Sequence, residues 1–205
     1  MERAELCRAA GVDVSRETFA LLVGLVDQVA AESIKQNLIS RRTLSDIWNR
    51  HIVDSLQLLK FSVVGPWLDL GTGAGFPGLV IAACGIENVV LVEERRLRYE
   101  FLNRVVRSLG LTNVCVEGAN IERVKPFPAA TISARAFAPL EKTLSLAHGF
   151  SSAATLWILP KGRTAAEELA SAKHTWHGKF RLEPSMTDPT SSIIVANNIS
   201  RRGLL

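Results

Sequence analysis

A glycine-rich segment directly after a short apolar run constrains this sequence more than any other feature. Trp67-Leu68-Asp69-Leu70 predicts a buried strand, and Gly71-Thr72-Gly73-Ala74-Gly75 follows it immediately. A helix is predicted to begin at Phe76-Pro77, since proline suits the first turn of a helix. A strand, a glycine turn and a helix in this order are typical of a nucleotide-type binding loop at the carboxyl edge of an open parallel sheet.

The rest of the chain alternates short apolar runs with stretches of helical periodicity. This alternation is the pattern of a parallel sheet wound with crossover helices, so the predicted fold class is α/β and Rossmann-like. The tail offers two further strands, near 179–183 and 192–196. The main strands are predicted near 67–70, 89–93, 113–117, 130–134 and 154–159, and the helices near 76–84, 95–109, 139–148 and 164–174.

Two amphipathic stretches precede this alternation. Apolar residues repeat at helical spacing from residue 19 to 30, after the candidate cap Ser15, and again from residue 44 to 59, after Thr43. Both stretches are predicted to be helices. The predicted division of the chain is a helical N-terminal extension, residues 1–62, and one compact unit, residues 63–205.

Composition and charge narrow the class of protein. Hydrophobic residues make up 47% and charged residues 21% of the chain, as in an ordinary folded globule. The net charge of the chain is +4. The chain has three clusters of basic residues, which either bind a polyanion or form an ordinary solvated surface. These clusters are Arg41-Arg42, Arg95-Arg96-Leu97-Arg98 and Arg201-Arg202.

Cysteine content and hydropathy suggest the compartment. The three cysteines have neither Cys-x-x-Cys nor zinc-ligand spacing, which argues against a disulfide framework or a metal site. No apolar run approaches the ~20 residues that a membrane span requires. The sequence therefore predicts a cytoplasmic protein without a metal or a membrane partner.

The glycine pattern alone leaves the ligand open. Gly73, Gly75 and Gly78 also satisfy the dinucleotide fingerprint, and Glu93 lies about 20 residues further on, as that fingerprint requires. Asp69 separates the alternatives, because its carboxylate repels a pyrophosphate but attracts the ammonium and sulfonium groups of S-adenosylmethionine. We therefore expect S-adenosylmethionine, with an NAD-dependent oxidoreductase as the rival.

Further contacts to the cofactor are predicted at the ends of later strands. Glu93 is placed to accept from the ribose hydroxyls, with Glu94 as a competitor. Asn120 and Ile121 are candidates for the adenine, although a helix start with one core isoleucine explains them equally well. The full predicted set is Asp69, Gly71, Gly73, Gly75, Phe76, Glu93, Asn120, Ile121 and Arg135.

Charged residues at strand ends suggest where the substrate binds. Arg135 and Lys161 each follow an apolar strand and are predicted to hold a phosphate or, for Arg135, a cofactor carboxylate. The alternative for both is a structural ion pair. Asn37 and Arg41 are candidates for the rim of the target pocket.

His51 and Asp54 lie at i and i+3 of a predicted helix and share a face. A structural pair that ties the extension to the sheet is favoured over a catalytic pair. The sequence assigns neither residue a role in chemistry.

An ordered set of motifs resembles the bacterial small-subunit ribosomal RNA guanine-N7 methyltransferases, also called the glucose-inhibited division protein B family. The resemblance extends from about residue 37 to 170. The motifs that carry it are Asn37-Leu38-Ile39-Ser40, Arg50-His51-Ile52-Val53-Asp54-Ser55-Leu56, the glycine segment from Trp67 to Gly78, Phe101-Leu102, Ser133-Ala134-Arg135-Ala136-Phe137-Ala138-Pro139-Leu140 and Pro160-Lys161-Gly162.

This resemblance implies a Rossmann-like S-adenosylmethionine-dependent methyltransferase that acts on N7 of one guanine in 16S ribosomal RNA, within the 30S subunit and as a monomer. Transfer to N7 needs no general base, so no catalytic residue is predicted. A methyltransferase acting on another RNA, a protein or a small molecule is the alternative, and a binding module without activity is a further one. The resemblance places cofactor contacts on Gly71, Phe76, Asn120, Ile121 and Arg135.

Where the family has an acidic residue, a serine and a basic pair after the second strand, this chain has Glu93-Glu94-Arg95-Arg96-Leu97-Arg98. The acidic ribose contact remains expected, whereas the basic partners are shifted along the chain.

Overall fold

A parallel sheet flanked by helices forms the larger part of the molecule. In a computed structural model, which describes residues 1–61 and 64–203, the described strands form a seven-stranded sheet of order β3-β2-β1-β4-β5-β7-β6. The first five strands run parallel, and β7 is antiparallel to both β5 and β6. The strands are β1 (Trp67–Leu70), β2 (Val89–Val92), β3 (Val114–Glu117), β4 (Thr131–Ala134), β5 (Leu156–Lys161), β6 (Trp176–Pro184) and β7 (Ser192–Arg201).

The helices of this unit cover both faces of the sheet, and the predicted α/β fold is confirmed. Alternate strand residues point to opposite faces and enter two separate hydrophobic clusters. For example, Trp67 packs in one cluster and Leu68 in the other, and both are fully buried. The helices are α5 (Gly78–Ala83), α6 (Arg96–Ser108), α7 (Leu140–Ala147) and α8 (Ala165–Ala172), with single 3-10 turns at Ile121–Arg123 and His148–Phe150.

The N-terminal extension is helical, as predicted, but its second part is not one regular helix. Ser15 caps the long helix as expected, because its Oγ accepts from the amide of Thr18 at 3.0 Å. The predicted cap Thr43 is wrong, since the Oγ of Ser40 performs this function at 3.2 Å from the Thr43 amide. The elements are α1 (Arg3–Ala10), α2 (Arg16–Gln36), α3 (Arg41–Leu44), a π-helical segment Trp48–Val53, α4 (Asp54–Leu56) and a 3-10 segment Gln57–Phe61.

The extension shares a hydrophobic core with one face of the sheet. Leu22 of α2 and Ile52 of the π-helical segment are fully buried in the same cluster as Leu79 of α5 and Leu91 of β2. Thr18 also donates its hydroxyl to the carbonyl of Ala83 at 3.2 Å. The predicted boundary between residues 62 and 63 lies outside the described residues.

The topology creates a crevice between β1 and β4. The chain leaves β1 towards β2 on one side and later returns to β4 on the other, so the crossover helices on the two sides lie on opposite faces of the sheet. Leu70 and Ala134 are paired at the carboxyl ends of these strands. Ligands bind at such a switch point in open α/β sheets. Among the helices of the described residues, none is long and apolar enough to cross a membrane.

Candidate active site

The glycine turn at the end of β1 depends on glycine at its first position. Gly71 has φ of 60°, a left-handed conformation that residues with a side chain rarely adopt. A Cβ atom there would lie 2.5 Å from Cδ2 of Phe137, which follows β4. Glycine therefore lets the turn and the segment after β4 approach closely across the crevice.

Asp69 holds this turn from inside the protein. Its Oδ2 accepts from the amide of Gly78 at 3.0 Å, and its Oδ1 accepts from the hydroxyl of Ser133 at 2.6 Å. The indole of Trp67 donates to the same hydroxyl at 2.7 Å. Complete burial raises the pKa of the Asp69 carboxyl, against the hydrogen bonds from Ser133 and Gly78. The carboxylate thus fixes the loop to the start of α5 and does not line the cavity, so its predicted direct attraction for the cofactor stays a prediction.

Glu93 holds the same turn from the neighbouring strand. Its Oε2 accepts from the amide of Gly73 at 3.1 Å and its Oε1 from the amide of Arg95 at 2.9 Å. Glu93 is buried, whereas Glu94 is exposed and accepts from the side-chain amide of Asn120 at 3.1 Å. Of the two candidates, Glu93 is therefore the one that contacts the glycine loop.

A cavity of about 710 Å³ lies at the carboxyl edge of the sheet, a volume typical of small-molecule sites. It brings together five of the predicted site residues, namely Gly71, Gly73, Phe76, Arg135 and Lys161. Its other lining residues are Leu38, Ile39, Ser40, Thr43, Arg50, His51, Asp54, Thr72, Ala74, Arg98, Ala136, Phe137, Ala138, Pro139, Pro160, Gly162, Glu168, Ser185, Thr187, Asp188, Ser191, Ser192 and Ile193.

The remaining predicted residues lie outside this lining. Asn120 is exposed and caps a 3-10 turn, and Ile121 is buried in the core, as the structural alternative for this pair supposed. Asn37 ends α2 in a left-handed conformation, and Arg41 begins α3. A side chain at Gly75 would meet the side chains of Leu79 and Leu102. Together with Asp69 and Glu93, the residues outside the lining are Gly75, Asn120, Ile121, Asn37 and Arg41.

Arg135 joins the sheet to the N-terminal extension. Its Nη1 donates to Oδ2 of Asp54 and to the carbonyl of Arg50, both at 3.1 Å. Its Nη2 lies 2.8 Å from Nδ1 of His51, and its guanidinium lies over the ring of Phe76, 5.6 Å from the centroid. Three of these partners belong to the π-helical segment or to the residue that follows it. His51 and Asp54 therefore tie the extension to the sheet, as predicted, but through Arg135.

His51 is held neutral in this arrangement. A guanidinium can only donate, so Nδ1 of His51 is an acceptor and the proton of the neutral ring is on Nε2. Burial, followed by the positive charges of Arg135 and Arg50, lowers the pKa of His51 to about 3. The ring also stacks on Phe76 with centroids 4.8 Å apart. The lone pair that a general base would use is thus already engaged.

Lys161 forms the structural ion pair that was the alternative to phosphate binding. Its Nζ donates to Oε2 of Glu168 at 2.8 Å and to the carbonyl of Ala138 at 2.6 Å. Glu168 also accepts from the amide of Leu140, at the start of α7. Burial raises the pKa of Glu168, but the bonds from Lys161 and Leu140 outweigh it, and the pKa is lowered. A contact between Lys161 and RNA remains a prediction.

Sequence reasoning missed the contribution of the loop between β6 and β7. Arg50 pairs with Asp188 of this loop at 3.2 Å, and Ser185 and Thr187 line the same cavity. The sequence between the two predicted tail strands, Ser185-Met186-Thr187-Asp188-Pro189-Thr190-Ser191, is mostly polar and contains a proline, but nothing in it points to the distant extension. Within the described part of the chain, no group of three or more His, Cys, Asp or Glu is placed to hold a metal ion.

Comparison with known proteins identifies the family. The family model described as rRNA small subunit methyltransferase G matches residues 19–187, which is well over half of the chain. The chain belongs to this family. A protein of Rhizorhabdus wittichii named ribosomal RNA small subunit methyltransferase G is 50% identical over 93% of this chain and 90% of its own length. One of the same name from Zymomonas mobilis is 45% identical over 97% of this chain and 94% of its own length.

Solved structures agree on the fold. A SAM-dependent methyltransferase from Aquifex aeolicus is 16% identical, covers 79% of this chain and 95% of its own, and superposes with a TM-score of 0.57. A ribosomal protein L11 methylase from Lactobacillus delbrueckii covers 75% of this chain and 79% of its own, with 15% identity and a TM-score of 0.55. Family and fold together make this chain an S-adenosylmethionine-dependent methyltransferase of small-subunit ribosomal RNA.

The residues of the cavity fit this cofactor. The glycine turn exposes backbone at Gly71 and Gly73, and the hydroxyl of Thr72 is buried with no hydrogen-bond partner among the described residues. Phe76 offers an aromatic surface beside the cation of Arg135. A polar backbone turn, an unsatisfied hydroxyl and a guanidinium suit a ligand that carries hydroxyl, amine and carboxylate groups.

Proposed function

We propose that this enzyme methylates N7 of one guanine of 16S ribosomal RNA within the 30S subunit, and that it does so in the cytoplasm as a monomer. The observation that carries the proposal is the cavity at the β1–β4 crevice, which the glycine turn and Arg135 both line. His51 also lines it, but the lone pair on Nδ1 of His51 already accepts a hydrogen bond from Arg135. An acceptor atom that must lose a proton needs a base. Guanine N7 bears a lone pair and no proton, so it needs none.

S-adenosylmethionine supplies an activated methyl group when it is bound. Gly71, Thr72, Gly73 and Phe76 would hold it, with Arg135 available for its carboxylate. Asp69 and Glu93 would support the cofactor site indirectly. Asp69 accepts from the amide of Gly78 and Glu93 from the amide of Gly73, and these two bonds preserve the shape of the turn. The contacts predicted for Asn120 and Ile121 belong to the same proposal.

The chain's own contribution to the reaction is then alignment and local charge. The guanine becomes cationic as N7 is methylated, so a free cation next to it would oppose the reaction. The four Arg and Lys side chains of the lining each have an acidic partner: Arg135 pairs with Asp54, Lys161 with Glu168, Arg50 with Asp188 and Arg98 with Glu93. Because the acidic partners offset these positive charges, the pairing supports a site in which positive charge develops on the guanine.

A labelling experiment tests the proposed substrate and the atom that is methylated. Subunits of 30S from a strain that lacks the gene should accept a radiolabelled methyl group from S-adenosylmethionine, whereas subunits already methylated by the wild-type strain should not. Borohydride and aniline treatment, followed by reverse transcription, should then give a new stop at one guanine. Label in a ribosomal protein, or label in 16S RNA without such a stop, would contradict the proposal.

Arg135→Ala is the variant control. The cost expected for removing a charged hydrogen-bond partner is about 1–3 kcal/mol in cofactor affinity. The rate of methyl labelling should also fall in this variant when the cofactor concentration is near the wild-type dissociation constant. Sedimentation of the free enzyme at micromolar concentration should show a single 22.4 kDa species.

A further inference from the structure

The segment between β6 and β7, residues 185–191, forms part of the cavity that also contains Gly71 and Arg135. Ser185, Thr187 and Asp188 all contribute to the lining. This segment is far from the glycine turn in sequence. Its position relative to the turn therefore depends on the contacts that hold it.

One carboxylate binds both this segment and Arg135. Oδ2 of Asp54 accepts from Nη1 of Arg135 at 3.1 Å, and Oδ1 accepts from the hydroxyl of Thr187 at 2.6 Å. A carboxylate has about four acceptor sites, so Asp54 can accept from both of these groups and also from the side-chain amide nitrogen Nε2 of Gln57, 2.8 Å from Oδ1. The side chain of Asp54 is only 16% exposed, which limits competition from water.

Other contacts hold the segment to the same stretch of the extension. The carbonyl oxygen of the Gln57 side chain accepts from the amide of Met186 at 2.9 Å, and Gln57 is fully buried. Arg50 and Asp188 form an ion pair at 3.2 Å. The stretch from Arg50 to Gln57 thus contacts Arg135 on one side and residues 185–191 on the other.

We propose that Asp54 is a positioning residue that sets residues 185–191 at a fixed distance from Arg135, and that this segment contacts the target guanine. The proposal rests on the proposed function above. If Arg135 and the glycine turn place the methyl donor, the Thr187–Asp54 bond places the side of the cavity that receives the base. Loss of this bond should misalign the reacting atoms while leaving the cofactor contacts intact.

Thr187→Val tests this prediction, because it removes the hydroxyl at nearly constant volume and leaves the Arg135–Asp54 pair in place. We expect kcat on 30S subunits to fall about tenfold, since small misplacements of reacting groups cost large factors in rate. The dissociation constant of S-adenosylhomocysteine, measured by titration calorimetry, should stay within about twofold of wild type. Thr187→Ser retains the hydroxyl and should restore kcat to within about threefold.

Thr175→Val is the matched control. Thr175 directly precedes β6, and its hydroxyl donates to Oε1 of Glu141 at 2.8 Å, also a hydroxyl–carboxylate bond. Neither of these residues lines the cavity. The control should keep the kcat of wild type, because the bond it removes is exposed and lies away from the cavity.

Three results would overturn the proposal: wild-type kcat in Thr187→Val, a loss of S-adenosylhomocysteine affinity that matches the loss of kcat, or a Thr187→Ser variant as slow as Thr187→Val. Each of these can be read only if the wild-type enzyme labels 16S RNA at N7. A wild-type enzyme that does not do so overturns the proposed function itself, and this inference with it.

Discussion

At the scale of single residues, Asp69 contacts the predicted glycine loop, but in a different physical role from the one expected. Its charge suggested attraction for a cationic cofactor, but its carboxylate is buried and bonded to Ser133 and to the amide of Gly78. The side chain holds the glycine turn in place through the amide of Gly78. Its position two residues before the first glycine was informative because a strand-end carboxylate reaches the start of the next helix.

We predict that Asp69→Ala weakens the binding of S-adenosylhomocysteine by about 1–3 kcal/mol, because the amide of Gly78 and the hydroxyl of Ser133 lose their buried acceptor. Titration calorimetry on the folded variant gives the affinity. Ser133→Ala removes one of the two bonds and should have a smaller effect. A folded Asp69→Ala protein with wild-type affinity would show that the turn does not need this anchor.

His51 predicts a pH dependence of stability. Its pKa is about 3 in the folded protein and about 6.5 in the unfolded chain, so the unfolded state binds the proton more readily. Its contribution to stability is complete above pH 6.5 and is lost as the pH falls towards 3.

The test is a comparison with His51→Asn, which keeps an acceptor for Arg135 but does not titrate. Between pH 7 and pH 4.5, the free energy of unfolding of wild type should fall by on the order of 2–3 kcal/mol more than that of the variant. Urea unfolding at both pH values gives the two differences. Equal losses in the two proteins would mean that the pKa of His51 is the same in the folded and unfolded states.

At the scale of elements, the sheet was predictable and the second part of the extension was not. Short, largely apolar runs mark the parallel strands, and β1, β2, β3 and β4 begin and end within one residue of the prediction. The stretch from 44 to 59 has a helical repeat, but the chain forms a π-helical turn over Trp48–Val53. Periodicity cannot reveal this turn, because contacts with Arg135, distant in sequence, accompany it.

The candidate site was predictable to the same extent. Gly71, Phe76 and Arg135 follow from strand ends and the glycine pattern, which are local signals, and they do line one cavity. The partners of Arg135 and the loop at Thr187 depend on contacts between distant parts of the chain. A single sequence carries no local signal for such contacts.

Gly71→Ala tests the geometry of the turn. The substitution strains a left-handed residue, at a cost of about 1–2 kcal/mol, and also places a methyl group against the ring of Phe137. We expect it to lower both stability and cofactor affinity. Gly110→Ala is the matched control, since Gly110 has φ of 64° and open space around it. Gly110→Ala should show only the loss of stability that comes from backbone strain. Thermal unfolding measures the stability of each variant, and titration calorimetry measures its affinity for the cofactor.

The double variant Gly71→Ala, Phe137→Ala completes this test. It removes the ring that the new methyl group meets, so it should recover part of the lost cofactor affinity. No recovery would mean that the left-handed conformation, and not the approach of Phe137, explains the need for glycine.

At the scale of the whole molecule, the extension and the sheet share one hydrophobic cluster, in which Leu22 and Ile52 lie with Leu79 and Leu91. We predict that urea unfolds the described helices and sheet in one transition, with coincident curves from tryptophan fluorescence and far-ultraviolet circular dichroism. Leu22→Ala should lower the stability of the entire chain by about 2–5 kcal/mol. Ile34→Ala, on the same helix but at a side chain 86% exposed, should change it by less than about 0.5 kcal/mol. An early transition confined to the extension in Leu22→Ala would show instead that the sheet folds without it, and that Arg135 does not depend on its helical partners.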